Sequence, residues 1–146
     1  MFERYTEKAR RVIFFARLEA SNFGTPQIET EQLLLGLVHE DLGLINLFVT
    51  PPATDETFRE LVRSHAPQGP AIPTSTDLPL SNECKRILAY TAEEADGLGH
   101  KHIGTEHLLL GMIREQGCFA ARLLRERGAD IDRIRGKLGA GPDAQS

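Results

Sequence analysis

The sequence predicts an all-α fold: eight helices arranged as a pseudo-twofold tandem repeat of two four-helix units. Three observations lead there. Shifted by 75 positions, residues 6–49 align without gaps on residues 81–124, and 12 of the 44 pairs are identical; ordinary composition would give roughly three by chance. The strongest block sets Ile-Glu-Thr-Glu-Gln-Leu-Leu-Leu-Gly at 28–36 against Ile-Gly-Thr-Glu-His-Leu-Leu-Leu-Gly at 103–111. Within each copy, apolar residues return at helical spacings, and no stretch reads convincingly as a strand.

The elements follow in order. Ala9, Val12, Ile13, Ala16, Ala20 and Phe23 form an apolar stripe. Thr6 stands where an N-cap is wanted, and Gly24 where a left-handed C-terminal residue is wanted. A second helix is expected from Thr30, read as its N-cap, to about Glu40; a short third over 44–49; and a fourth over 55–63. The second copy repeats the pattern. Cys84, Ile87, Leu88, Thr91, Ala95 and Leu98 form the stripe, closed by Gly99. A helix then starts at Thr105 and runs to about Glu115, another covers 119–127 before Gly128, and the last covers 131–138. Residues 66–79 hold four prolines and read as an extended connector. The expected organisation is one domain over 1–146: repeat one at 2–65, connector at 66–79, repeat two at 80–138 and a frayed tail at 139–146.

Composition narrows the function classes. The chain has 146 residues, a net charge of −4, 40% hydrophobic residues and two cysteines. That length suits one domain with a sizeable core. Two cysteines make no disulfide framework, and the longest apolar stretch, 33–38, is far too short to span a bilayer. The start of the chain is charged with both signs, unlike a signal peptide. A reduced, cytoplasmic setting is expected, with no membrane and no nucleic-acid partner. The only Gly-Lys pair, Gly136-Lys137, precedes Leu138, so no phosphate-binding P-loop is present.

With the repeat and its Gly-Thr-Glu-His-Leu-Leu-Leu-Gly block established, the chain resembles the N-terminal domain of Clp/Hsp100 ATPases, closest to the ClpC type. The opening Phe-Glu-Arg-Tyr-Thr-Glu-Lys-Ala at 2–9 and the segment 113–124 carry the likeness further, so that it extends from Phe2 to about Leu138. The resemblance implies a non-enzymatic docking module, monomeric as is the default for the family, which receives adaptor proteins or protein substrates. ClpC-type domains also recognise proteins phosphorylated on arginine. By resemblance each copy has a pocket built from a Glu of the Gly-Thr-Glu block and a hydroxyl opening the first helix. Mapped within copies, these are Glu31 with Thr6 and Glu106 with Ser81. The first copy departs from the pattern, with Glu29 for the usual Gly and Gln32 for the usual His. An added carboxylate repels phosphate, which favours the Glu106 pocket.

The chemistry stands on its own terms. A phosphoguanidinium joins a phosphate to a cationic edge. Free amides at a helix start with a capping hydroxyl suit the first; a carboxylate suits the second. Capping alone also accounts for the same residues. Thr6, Thr30, Ser81 and Thr105 are useful caps, and a carboxylate near a helix start stabilises it by about 0.3–1 kcal/mol.

Other constellations carry less. His100, His102 and His107 cluster near Glu106 without closed ligand spacing, so no metal or other cofactor is expected. Cys84 falls on the buried stripe, whereas Cys118, opening a short helix, is expected to be partly exposed. Neither has a histidine partner suited to nucleophilic catalysis. Residues 114–137 hold seven basic and four acidic side chains. These arginines alternate with acids and core positions, as on a solvated helix face. An alternative is a stand-alone regulator that binds a Clp machine or its adaptors without a small-ligand pocket. A DNA-binding helical regulator is more remote.

Overall fold

The amide of Ala9 donates to the Thr6 hydroxyl at 3.1 Å, and this cap opens α1 (Glu7–Phe23). One face of α1 buries Ala9, Val12, Ala16, Ala20 and Phe23. Gly24 ends the helix at φ 73°, a left-handed conformation that costs glycine little, and the Thr25 amide returns to the Ala20 carbonyl at 3.1 Å. The second copy does the same: Ser81 caps α4 (Asn82–Gly97) through the Cys84 amide at 3.1 Å, and Gly99 also takes φ 73°. The computed structural model describes residues 2–66 and 68–139. All but the first residue of the expected frayed tail lies outside the described residues.

The remaining helices are α2 (Thr30–Asn46), α3 (Asp55–His65), α5 (Thr105–Arg114), α6 (Phe119–Glu126) and α7 (Ile131–Gly139). Among the described residues there are therefore seven helices rather than the eight expected. The difference lies at Asp41, whose φ −147° and ψ 58° interrupt α2 without ending it. The Asp41 carboxylate accepts from the Leu44 amide at 3.3 Å and so restarts the helix. The short third helix of the first copy is thus joined to the second through a kink. In the second copy the same place is a break between α5 and α6.

Thr30 and Thr105 are not the N-caps of α2 and α5. Those positions fall to Glu29 and Gly104, and the threonines are the first helical residues. The helix starts are closed by side chains two residues after the threonines. The Glu29 amide donates to Gln32 Oε1 at 2.8 Å, and the Gly104 amide donates to His107 Nδ1 at 2.9 Å. Gln32 and His107 are unlike in chemistry, one offering an amide oxygen and the other a ring nitrogen, but each presents an acceptor to the equivalent amide of its copy.

α2 and α5 are buried nearly all round, through Leu33, Leu34, Leu35, Leu37 and Val38 in one and Leu108, Leu109, Leu110, Met112 and Ile113 in the other. A helix apolar on every side belongs in the centre, and these two pack against each other as well as against α1 and α4. Each meets its outer partner at a glycine. A Cβ on Gly36 would sit 2.4 Å from the Val12 carbonyl oxygen, and one on Gly111 would sit 2.7 Å from the Ile87 carbonyl oxygen. Ion pairs tie the last helix of each unit to the first. Arg59 on α3 binds Glu19, and Arg135 on α7 binds Glu94 at 2.7 Å alongside Arg114. Among the described residues, no helix is long and apolar enough to cross a membrane.

Candidate functional site

The two units are joined where their helices begin. Tyr5 and Ile103 form an isolated parallel bridge, with the Thr6 amide donating to the Ile103 carbonyl and the Ile103 amide to the Arg4 carbonyl, both at 2.9 Å. Ile28 and Leu80 form the second, through Ile28 N–H to Pro79 O at 2.8 Å and Ser81 N–H to Ile28 O at 2.9 Å. Each bridge connects the approach to an outer helix of one copy with the approach to a central helix of the other. The four candidate residues therefore pair across copies. Thr6 shares a cleft with Glu106, not Glu31, and Ser81 adjoins the Glu31 segment, not Glu106. Pairing within a copy, as expected from the sequence, is corrected by these bridges.

The Thr6 cleft encloses about 370 Å³ and is lined by Thr6, Glu7, Lys8, Arg11, His102 and the residues 104–106. Its floor is a pair of helix starts, α1 and α5, whose first amides carry the positive end of the helix dipole. Glu106 folds back toward Gly104: a Cβ there would lie 2.0 Å from Glu106 Oε1. His102 Nε2 stands 3.6 Å from Glu106 Oε2. Arg11 holds Glu40 at 2.6 Å, and Lys8 lies 3.6 Å from Asp41, which also accepts from the Thr105 hydroxyl at 2.7 Å. The cleft thus offers cationic side chains, helix-start amides and one carboxylate within one opening.

At the other junction Glu31 is turned locally, its Oε1 accepting from the Thr30 hydroxyl at 3.0 Å. Glu29 accepts from Gln27 at 3.0 Å. Both carboxylates reach the first turn of α4 electrostatically. Burial pushes the Cys84 thiol up to about 12, and Glu29 and Glu31 add to that push. Ser81 is itself buried.

The ligand nitrogens of His100, His102 and His107 lie within 4.8 Å of one another. Because His107 Nδ1 accepts from Gly104, the hydrogen of neutral His107 is on Nε2, where it donates to His100 Nδ1 at 2.8 Å. Offering a cation the Nε2 lone pair would require breaking the cap, so these residues do not suit a metal as they stand. Burial holds His107 down at about 4, in the neutral form the cap needs. Cys118 is buried, not partly exposed as expected. Its sulfur caps α6 by accepting from the Ala121 amide at 3.4 Å, and burial raises its thiol. Within the basic stretch, Arg114 and Arg135 are held by Glu94, Arg125 by the Gln116 carbonyl and Arg133 by the Phe48 carbonyl.

Sequence reasoning missed two apolar clefts related by the 75-residue offset. One, of about 460 Å³, is walled by Ile13, Phe14, Ile28 and Leu80 and flanked by Arg10 and Arg17. The other, of about 390 Å³, is walled by Leu88, Ala89, Ile103 and Tyr5 and flanked by Lys85. Phe14 is 55% exposed, the visible signal being a Phe-Phe pair on a helix that needs only one apolar face.

Two helical units of one design, joined by crossed helix starts with open clefts at the joints, define a tandem-repeat helical domain. The chain belongs to the Clp repeat (R) N-terminal domain family, whose profile matches residues 4–127 and 86–141. It is 40% identical over 136 residues to the chloroplastic chaperone protein ClpC1 of Arabidopsis thaliana, covering 92% of this chain and 14% of that one. It is equally similar, 40% over 136 residues, to an ATP-dependent Clp protease ATP-binding subunit ClpA homolog of Guillardia theta, covering 92% of this chain and 16% of that one. The chain therefore spans about one-sixth of the length of such relatives. The crystal structure of the N-terminal domain of the chaperone ClpD from Arabidopsis thaliana superposes with a TM-score of 0.72 at 28% identity, covering 93% of this chain and 92% of that one. The Hsp104 N-terminal domain from Candida albicans shares the fold at 17% identity and TM-score 0.71, covering 94% and 91%. The ClpC-type resemblance drawn from the sequence holds.

Proposed function

We propose that this chain is a non-enzymatic docking module that receives adaptor or substrate proteins, including proteins phosphorylated on arginine, and that it does so as a monomer. The observation that carries this reading is the Thr6–Glu106 cleft, where helix-start amides, Lys8 and Arg11 face an opening that also holds a carboxylate. A phosphoarginine side chain needs both. Its phosphoryl oxygens accept from amides and cations, and its remaining guanidinium N–H groups donate to Glu106. The apolar clefts beside the junctions add surface against which a partner's apolar side chains would be removed from water, at about 25 cal/mol per Å².

The test is titration of the chain with free phosphoarginine, followed by calorimetry and by amide NMR shifts. Saturable binding that arginine alone does not reproduce, weakened at least tenfold in Glu106→Ala, is the expected result. No binding at millimolar ligand would overturn the phosphoarginine reading and favour a regulator that engages its protein partner without a small-ligand pocket.

A further inference from the structure

We infer that the two junctions have diverged, so that only the Thr6–Glu106 cleft accepts a phosphoryl group, with Lys8 and Gly104 as its specificity-determining residues. The inference rests on the docking reading above and fixes which of its two sites is used.

Three differences separate the two junctions at positions related by the 75-residue offset. Lys8 is matched by Glu83, which reverses the charge beside the first turn of the outer helix. Gly104 is matched by Glu29, which places a second carboxylate at the start of the central helix. His102 is matched by Gln27, which donates to Glu29 and holds it at the junction. With histidine neutral, Glu7, Lys8, Arg11 and Glu106 cancel in charge. Their counterparts with Glu29 carry a net of −2. Arg86, the only cation of that second set, is engaged by Glu115 as Arg11 is by Glu40, so the charge difference comes from Lys8 against Glu83 and from Glu29.

Geometry adds an independent reason. Glu106 reaches its position by passing through space that a Cβ at 104 would occupy, 2.0 Å from its Oε1. Position 29 has that Cβ. Glu31 consequently cannot copy the pose of Glu106 and instead accepts from Thr30. The second junction therefore loses both halves of the recognition: the carboxylate is turned away from where a guanidinium would lie, and phosphate meets carboxylates. Like charges a few ångströms apart cost about 1 kcal/mol even in water and more where the protein excludes it.

The test uses the 146-residue chain with free phosphoarginine, read by calorimetric stoichiometry and by amide shifts, the spectrum also reporting that each variant is folded. One site per chain is expected, with shifts confined to residues 6–11 and 102–107. Lys8→Glu lowers affinity at least tenfold. The double variant Glu29→Gly with Glu83→Lys raises the stoichiometry to two and brings shifts at 29–31 and 81–86. Two equivalent sites in the wild-type chain, or binding lost in Glu31→Ala and kept in Glu106→Ala, overturns the inference while leaving the docking reading intact. Absence of all binding overturns this inference together with the phosphoarginine reading it rests on, and is told apart by the flat wild-type titration.

Discussion

At the scale of single residues, His107 shows how one task admits two chemistries. It accepts the Gly104 amide as Gln32 accepts the Glu29 amide, yet only the histidine can be lost to protonation. Its folded value of about 4 lies below its ordinary value of 6.5. Between those values the unfolded chain binds the proton more readily, so this contribution is complete above about pH 6.5 and drains as the pH falls toward 4. Glu106 opposes the depression, while His100, His102 and Arg4 reinforce it. Replacing His107 by Gln should keep the cap and remove the titration. Urea melts across pH 7 to 4.5 should then show a shallower stability loss than wild type, by up to about 1.4 kcal/mol per pH unit. The cysteines give a second check. With Cys84 and Cys118 buried and their thiols raised, a thiol reagent should label neither in the folded chain and both in denaturant. The acceptor role of residues 32 and 107 was not legible in the sequence. A threonine before a helix invites the cap reading, and only the fold reveals that Thr105 is drawn away to Asp41.

At the scale of elements, α1 and α4 were legible because each declares itself locally through a capping hydroxyl, an apolar stripe and a glycine at or just past its end. The kink in α2 was not. Nothing in the spacing around Asp41 separates a helix that ends from one that bends, since the deciding partners, Thr105 and Lys8, come from two other helices. Asp41→Ala should cost about 1–2 kcal/mol, because it removes the Leu44 cap and leaves Thr105 without its acceptor. The close crossings at Gly36 and Gly111 are more demanding. Alanine there gains up to about 1 kcal/mol in helix propensity. It must also displace backbone carbonyls 2.4 and 2.7 Å away, and overpacking of this kind costs about 1–3 kcal/mol or more. Thermal melts should show both variants destabilised, and Gly36→Ala the more so, since its nearest obstacle is backbone rather than a threonine side chain.

At the scale of the whole molecule, the duplication could be read in the sequence and the crossing could not. The bridges join residues as far apart as Tyr5 and Ile103, and no periodicity carries information over that distance. The pairing of site residues therefore had to come from the fold. A corollary concerns the halves. Parted from the other, each loses the packing of the other's central helix and the hydrogen bonds across the junctions, so residues 2–74 and 75–139 made separately should lack cooperative melting. Mixed, they should regain it, the connector beyond residue 67 being held largely by Phe23, Ser21 and Arg17 of the first copy. Circular dichroism of the separate and combined pieces checks this.

The crossed bridges also bear on ancestry. A lone copy owns the hydroxyl of one cleft and the carboxylate of the other, so it holds no complete cleft. Two identical copies related by a twofold axis would have built two, necessarily alike. A covalently joined pair is free of that constraint: with both copies in one chain, a difference such as Gly104 against Glu29 can alter one junction and spare the other.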